Sequence, residues 1–348
     1  MIVKHLISII IPNYNGSRTI GKCLESIFAF KDDDQEVIVV DDCSEDSSLD
    51  IIRKYPCRLI QLEKHAGASA ARNAGAFNSK GEVLFFIDAD CLLKENTLSI
   101  IQNHLSAQPP GVVIGGTYTP VPQDPGFFNQ FQSAFINYFE TKNSSNPDYL
   151  ATHALVINAE TFRKFGGFKE NFLPILEDIE FCHRLRRAGY RLVMDPDLQV
   201  RHIFNHSCMR SIQNAVKKTR YWIVYSLVNR DLFADSGTAS REIKLSGVVW
   251  LATVVLAFLS LMSGKREFLM PLPLLWVSGV LVNRHLFEAF YKAGGAFFAL
   301  MAGMYYVIVY PAAIWMGAVK GAVQYSLQKK MKSGQGGTDE LYKESSKE

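Results

Sequence analysis

The stretch that decides the fold is Val83-Leu84-Phe85-Phe86-Ile87-Asp88-Ala89-Asp90. An unbroken apolar run of this length reads as a strand buried on both faces, and it ends on two carboxylates spaced i, i+2. Pleating sends alternate side chains to the same face, so Asp88 and Asp90 can converge on one hard cation. The plainer alternative is a solvated turn, because Asp is common where strands end. The flanking sequence decides between the two.

Upstream, Leu6 to Ile11 is a β-branched run that stops at the turn cluster Pro12-Asn13-Tyr14-Asn15-Gly16. Arg18 to Phe30 carries Ile20, Cys23, Leu24, Ile27 and Phe28 at helical spacing. Glu36 to Val40 is a second buried strand, ending at Asp41-Asp42. A helix over Ser44 to Tyr55 follows, with Ser44, Asp46 and Ser47 as candidate caps. Arg58 to Glu63 is a third strand, Ala68 to Asn78 a helix of small residues, and Val83 to Ile87 the fourth strand. This alternation predicts an α/β fold with a mainly parallel, Rossmann-like sheet. Ligands of such sheets sit beyond the C-terminal strand ends, where Pro12 to Tyr14, Asp41-Asp42 and Asp88 to Asp90 all fall.

The chain has 348 residues and a net charge of +3, with no long basic block, which argues against nucleic acid as a partner. Its six cysteines form no C-x-x-C pair and no zinc spacing, as expected of reduced thiols in a cytosolic compartment. The N-terminal apolar run is too short for a secretory signal. After Arg241 the composition changes. Leu245 to Gly264 is uncharged and long enough for a bilayer-spanning helix. Phe268 to Asn283 is shorter and holds Pro271 and Pro273, and Ala293 to Val319 is long and aromatic-rich. Two spans with a re-entrant segment, or three spans, both fit. Basic residues flank these runs on every side, so charge does not fix their orientation. Ser211 to Val228, with Lys217, Lys218 and Arg220 beside Tyr221, Trp222 and Tyr225, reads as a helix in the headgroup layer or as an ordinary amphipathic surface helix.

With these stretches located, the chain resembles the family 2 glycosyltransferases, inverting enzymes of the GT-A nucleotide-diphosphate-sugar transferase fold. The motifs, spread over about 200 residues, are Ser8-Ile-Ile-Ile-Pro-Asn-Tyr-Asn15, Val37-Ile-Val-Val-Asp-Asp-Cys-Ser44, Ala66-Gly-Ala-Ser-Ala-Ala-Arg-Asn-Ala-Gly75, Phe86-Ile-Asp-Ala-Asp90, Gly166-Gly-Phe168 and Glu177-Asp-Ile-Glu-Phe181. The resemblance implies a donor-nucleotide site at Pro12, Tyr14, Asp41, Asp42, Arg72 and Asp88. Tyr14 can lie flat against a base, the aspartates can accept hydrogen bonds from base or ribose, and Arg72 can pair with those aspartates or with the diphosphate. N-capping of the next helix is the alternative for Asp41 and Asp42, and an internal ion pair for Arg72. Asn73 and Gly75 look structural.

The resemblance further implies that Asp90, with Asp88 and with His202 as a third ligand, holds Mg2+ or Mn2+. Asp178 matches the family's base position, and Glu177 stands next to it. At a helix N-terminus the dipole lowers a carboxylate's pKa, so desolvation or other charges must restore its basicity. His153 can face the acceptor, while His5, His65, His104, His183, His206 and His285 read as satisfied or solvated. Processive synthases of this family carry Q-x-x-R-W, whereas here Lys217-Lys-Thr-Arg-Tyr-Trp222 stands nearest, which favours transfer of a single sugar.

The expected layout is a GT-A domain over 1–210, an interfacial helix and linker over 211–243, membrane segments over 244–320 and a disordered polar tail over 321–348. The expected partners are a nucleotide-diphosphate sugar, a lipid-linked or hydrophobic acceptor and membrane lipid. The expected location is the inner (plasma) membrane, with the catalytic domain cytoplasmic. The acceptor segment, Gly115 to Thr152, holds the run Phe127, Phe128, Phe131, Phe135, Tyr138 and Phe139, which suits either a membrane-facing helix or a core. A nucleotidyltransferase and a non-catalytic scaffold of the same fold are the competing classes.

Overall fold

All-apolar, β-branched runs cannot be left in water, and here they assemble into one sheet covered by helices. The structure, a computed structural model, describes residues 5–107 and 111–332. These fall into two compact units, one of residues 5–125 and 140–205, the other of 126–139 and 206–332.

The strands of the first unit are β1 (Ile7–Asn13), β2 (Gln35–Asp41), β3 (Arg58–Gln61), β4 (Val83–Phe86), β5 (Cys91–Leu93), β6 (Val113–Tyr118), β7 (Leu155–Asn158) and β8 (Leu192–His202). They form one sheet in the order β3-β2-β1-β4-β7-β6-β8-β5. Its helices are α1 (Ile20–Phe30), α2 (Ser48–Ile52), α3 (Ala68–Phe77) and α4 (Thr97–Ala107). After α5 (Phe127–Thr141), which up to Phe139 belongs to the second unit, come α6 (Ala159–Lys164) and α7 (Glu177–Arg187).

The sheet is parallel across β3-β2-β1-β4 and mixed beyond, since β7 runs antiparallel to β4 and β6, and β5 antiparallel to β8. With β6 and β8 parallel as well, four of the seven neighbouring pairs among the described strands are parallel, in keeping with the expected mainly parallel sheet. A difference lies in β8. The sequence predicts a strand over Arg191 to Met194 closed by an Asp195-Pro196-Asp197 turn, yet the strand runs through that turn to His202. A register shift against β6 accommodates it: Met194 pairs with Gly115 and Gln199 with Thr117, so the extra residues bulge out of β8. Beneath the sheet, Phe86, Phe162, Phe168 and Phe181 form an aromatic cluster with ring centroids 5.0 to 5.3 Å apart.

The second unit holds α8 (Cys208–Asn229), α9 (Arg241–Ser263), α10 (Leu272–Val282), α11 (Arg284–Met304), a π-helical turn at Tyr305–Val309 and α12 (Tyr310–Lys332). Gly317 and Gly321 let α12 meet α8 backbone to backbone. A Cβ on either would stand 2.6 Å from the Val216 carbonyl or 2.5 Å from that of Arg220. This packing buries Tyr221, Trp222 and Tyr225, so α8 does not offer these aromatic rings to a headgroup layer. Phe131, Phe135 and Phe139 of α5 are core, while Phe127 and Phe128 are half-buried: Phe131 lies 4.8 Å from Tyr305 and 5.4 Å from Phe290, and Phe135 lies 5.1 Å from Tyr310.

Among the described residues, two helical stretches are long and apolar enough to cross a membrane, Arg241–Ser263 and Arg284–Lys329, whose 18-residue apolar windows have mean hydropathy 2.2 and 1.8. The second is interrupted by Gly295 at φ 74° and by the π turn. Trp250 donates to the Ile308 carbonyl of that turn at 2.9 Å, and Trp315 donates to Gly247 at 2.8 Å. Helix α10, about 16 Å long, lies back along α9, where Asn283 donates to Ser246 (2.8 Å) and accepts from Tyr306 (2.9 Å). Helix α12 continues to Lys332, so residues 321–332 are helical where a disordered tail was expected. The rest of that expected tail, 333–348, lies outside the described residues. The boundary expected near 210 falls between Asn205 and His206.

Candidate active site

Strands β2, β1 and β4 are parallel neighbours, so their C-terminal ends share one edge of the sheet. Pro12 lies within β1 opposite Val40, and Asn13 lies opposite Asp41. Asp41, 1% exposed, accepts hydrogen bonds from Asn13 Nδ2 (2.8 Å), Ser44 N (3.0 Å) and Ser44 Oγ (2.6 Å). Asp42, 2% exposed, accepts from the backbone amides of Ala66 (2.7 Å) and Gly67 (2.8 Å), and its other contact is His65 Nδ1 at 2.9 Å. Capping is thus real but differently aimed. Asp42 holds the Ala66-Gly67 turn that leads into the distant α3, and Asp46, which accepts from Ser17 N and Ser48 N, serves the start of α2. Tyr14, just past β1, is 49% exposed, and its ring lies 4.1 Å from that of His65 at 32°.

Arg72 of α3 is 5% exposed and bridges two elements. Its Nη2 donates to Asp88 Oδ1 at 2.6 Å and its Nη1 to Glu177 Oε1 at 2.7 Å. Burial works against the cation, but Asp88 and Glu177 outweigh it and hold the guanidinium pKa above its ordinary value. Its partners are therefore not the base-side aspartates but the strand-end acid and the first turn of α7. Next to it, Asn73 clamps the Gly166-Gly-Phe168 turn, donating to the Phe168 carbonyl (2.8 Å) and accepting from its amide (2.9 Å). Gly167 stands at φ 68°, and a Cβ there would come 2.4 Å from Asn73 Oδ1.

Asp90 sits where β5 begins, and Cys91 is directly opposite His202 in the β5–β8 pairing. His202 Nε2 is 3.3 Å from Asp90 Oδ1, and the ligand atoms of Asp90, Cys91 and His202 lie within 4.8 Å of one another. Burial, then Asp90 and Asp88, push the Cys91 thiol well up, which leaves the carboxylate and the imidazole as the usable donors. Burial raises the Asp90 carboxyl, but His202 outweighs it and the net shift is downward. His202 Nδ1 is buried without a hydrogen-bond partner, and its ring is held between Tyr118 (4.7 Å) and Phe204 (4.0 Å). One carboxylate oxygen and one imidazole nitrogen fit a partly hydrated divalent cation. Asp88, engaged with Arg72, stands outside this cluster.

Helix α7 opens after Leu176, held at φ 80°, and presents Glu177 and Asp178 in its first turn. Glu177 is tied to Arg72. Asp178 is half-buried, and burial, followed by the neighbouring Glu177, raises its pKa to about 7, against the opposing pull of Arg72 and its own helix. Desolvation thus restores the basicity that the helix dipole alone would remove. His153 stacks on Tyr118 at 3.9 Å, with Nε2 3.3 Å from Glu140 Oε2, which also accepts from Thr117 Oγ1 at 2.7 Å. Burial lowers the His153 pKa, but Glu140, Asp88 and Asp178 outweigh it and the net shift is upward. Sequence reasoning missed Tyr118, Glu140 and Phe204 and set His65 aside, because nothing in their spacing links them to the strand ends.

The family model Glycosyl transferase family 2 matches residues 8–163. Glycosyltransferase GlyG of Streptococcus pneumoniae is 30% identical over 131 residues, 36% of this chain and 44% of that protein. Glycosyltransferase AglE of Haloferax volcanii is 28% identical over 200 residues, 55% of this chain and 65% of that protein. The chain thus spans less than two thirds of the length of either relative. Among solved structures, mannosyltransferase PcManGT from Pyrobaculum calidifontis in complex with GDP-Man and Mn2+ shares the fold. It is 17% identical, with TM-score 0.55 over 94% of this chain and 88% of that one.

Proposed function

We propose that this chain, which carries a glycosyl transferase family 2 domain over residues 8–163 on the GT-A fold, is a membrane-anchored inverting glycosyltransferase. It moves a single sugar from a nucleotide-diphosphate sugar to a lipid-linked or otherwise hydrophobic acceptor at the cytoplasmic membrane face. The observation that carries this reading is Arg72, whose two bonds draw the strand-end acid Asp88 and the α7 acid Glu177 to one guanidinium. The donor end and the base end of a transfer site are thereby fastened together.

In this reading the exposed face of Tyr14, backed by His65, takes the base, while the buried Asp41 and Asp42 hold the loops around it. Asp90 and His202 hold Mg2+ or Mn2+, with Asp88 beside them. The bound cation supplies Lewis-acid stabilisation of the departing diphosphate. Asp178 removes the proton from the acceptor hydroxyl as that oxygen attacks the anomeric carbon. The bond from that carbon to the diphosphate oxygen breaks on the opposite face, and the configuration inverts. Glu177, fixed by Arg72, keeps negative charge beside Asp178 and so sustains its basicity.

The bound GDP-Man and Mn2+ in the mannosyltransferase of the same fold accord with this reading. The two long apolar helix stretches favour an anchor, and an anchored enzyme meets a lipid acceptor at raised effective concentration. The test is to incubate purified protein with a panel of nucleotide-sugars, with Mn2+ or Mg2+ and with chelator, and to follow nucleoside diphosphate release. Release that needs the metal and disappears in Asp178→Asn supports the assignment. Wild-type turnover by that variant sinks it.

A further inference from the structure

We propose that Tyr118 is the positioning residue of His202: its ring, clamped by the Glu140–His153 pair, holds the imidazole in the orientation that meets the bound cation. This rests on the metal reading proposed above and concerns what orients the ligand rather than which residue it is.

A metal-ligating histidine ordinarily donates its second ring N–H to a carboxylate or carbonyl, which fixes the plane of the ring. His202 lacks that device. Its Nε2 lies 3.3 Å from Asp90 Oδ1, and its Nδ1 is buried without a hydrogen-bond partner. Neighbouring rings do the orienting instead. Tyr118 pairs with Val200 in the β6–β8 register, and Val200 and His202, two residues apart, share a face of β8. The Tyr118 ring therefore stands beside the imidazole, edge to face at 4.7 Å and 63°, while Phe204 covers the imidazole at 4.0 Å. Such ring pairs are directional, because an aromatic edge is positive and its face negative.

Tyr118 is itself fixed by a closed circuit of contacts. Its neighbour Thr117 donates to Glu140 Oε2 at 2.7 Å, and the same oxygen lies 3.3 Å from His153 Nε2. The His153 ring, carried on the turn Thr152–Ala154 before β7, comes back onto Tyr118 at 3.9 Å and 24°. Thr117, Tyr118 and His153 are buried, and the Glu140 side chain is 6% exposed. A carboxylate so far from water is costly unless paired, so Glu140 keeps both partners and the circuit stays closed.

The test is Mn2+ binding to the full chain without donor, followed by calorimetry, with pulsed paramagnetic resonance to detect an imidazole nitrogen on the ion. Wild type should bind with nitrogen coupling, and His202→Ala should lose that coupling. Tyr118→Leu should weaken Mn2+ binding about tenfold or more, the scale of losing an outer partner of a metal ligand, and diminish the coupling. Tyr118→Phe keeps the ring and should stay within about twofold of wild type. His153→Ala separates positioning from charge. Burial opposes the charged form of His153 but Glu140 favours it, so by charge alone its removal would tighten cation binding. Acting through Tyr118, the same removal should weaken binding severalfold, and this variant decides the matter if Tyr118→Leu does not fold. Unchanged binding in Tyr118→Leu, an equal loss in Tyr118→Phe or tighter binding in His153→Ala overturns the proposal. Wild type without nitrogen coupling, or His202→Ala that keeps it, removes His202 as a ligand, and this inference falls with the metal reading.

Discussion

Two acid pairs stand at one edge of the sheet, Asp41-Asp42 after β2 and Asp88-Ala-Asp90 after β4, and the protein treats them in opposite ways. The first pair is 1% and 2% exposed, and its oxygens are taken up by amide, hydroxyl and backbone N–H donors, with His65 alongside. The second keeps 28% and 42% of its side-chain surface exposed and meets two basic side chains, Arg72 and His202. Carboxylates whose oxygens are all taken by fixed donors serve the architecture, whereas carboxylates that keep open surface beside a held cation remain able to take a further partner. The same local sequence signal, an apolar strand ending in acids, therefore covers two different jobs.

The largest expected effect lies in the exposed pair. Asp90→Asn should cut metal-dependent nucleoside diphosphate release by about 1,000-fold, the scale of deleting a transition-state charge stabiliser, and weaken Mn2+ binding measured by calorimetry. Its thermal midpoint should stay near wild type. A variant that unfolds instead would erase the contrast between the pairs. Asp178→Asn should follow, with a loss of about 100-fold or more.

The pH behaviour sharpens the same contrast. Asp178 has a carboxyl pKa of about 7 in the fold against 3.8 in the unfolded reference. Between those values the native state keeps a proton that the unfolded chain has lost, so this group's contribution to stability falls as pH rises through the window. Activity should run the other way, with kcat/KM rising to a limb near 7 as the base ionises. Glu177→Gln removes the adjacent negative charge and should move that limb to lower pH. A limb that does not move would separate Asp178 from the base role.

In the buried pair the first casualty should be stability. Asp42→Ala leaves the Ala66 and Gly67 amides at the start of α3 without their acceptor. It should cost about 1–3 kcal/mol in denaturant unfolding. An unchanged midpoint would mean that the buried acids, too, are there for ligands.

How much of this was legible in sequence depends on the range of each interaction. Strands β1, β2 and β4, helix α3 and the first turn of α7 are written in local periodicity, and each lies within a few residues of its expected place. What was not legible depends on distant partners. The extension of β8 through Asp195-Pro196-Asp197 defies local turn signals, because pairing with β5 and β6 outweighs them, and that pairing sets His202 opposite Cys91. Arg72 reads locally as one helix position, and only the fold supplies Glu177 as its partner, 105 residues away. Glu140 lies at the end of an aromatic helix, and its tie to His153 is made only because the chain returns beside that helix end.

The smallest predicted effect concerns the residue that belongs to both behaviours. His65 touches Asp42 of the buried pair and stacks on Tyr14, the exposed ring, so it joins the architectural acids to the open surface. With its own side chain 54% exposed, it contributes little to the core. Truncation should therefore act through Tyr14, which loses the ring that holds its plane. An aromatic pair of this kind is worth about 0.5–1.5 kcal/mol, so His65→Ala should raise the donor KM roughly two- to tenfold and leave kcat nearly unchanged. His65→Phe keeps the stack and loses the Asp42 contact, and donor KM should return toward wild type. If His65→Phe behaves like His65→Ala, the link to Asp42 matters more than the stack, and the buried acids reach the donor through His65 after all.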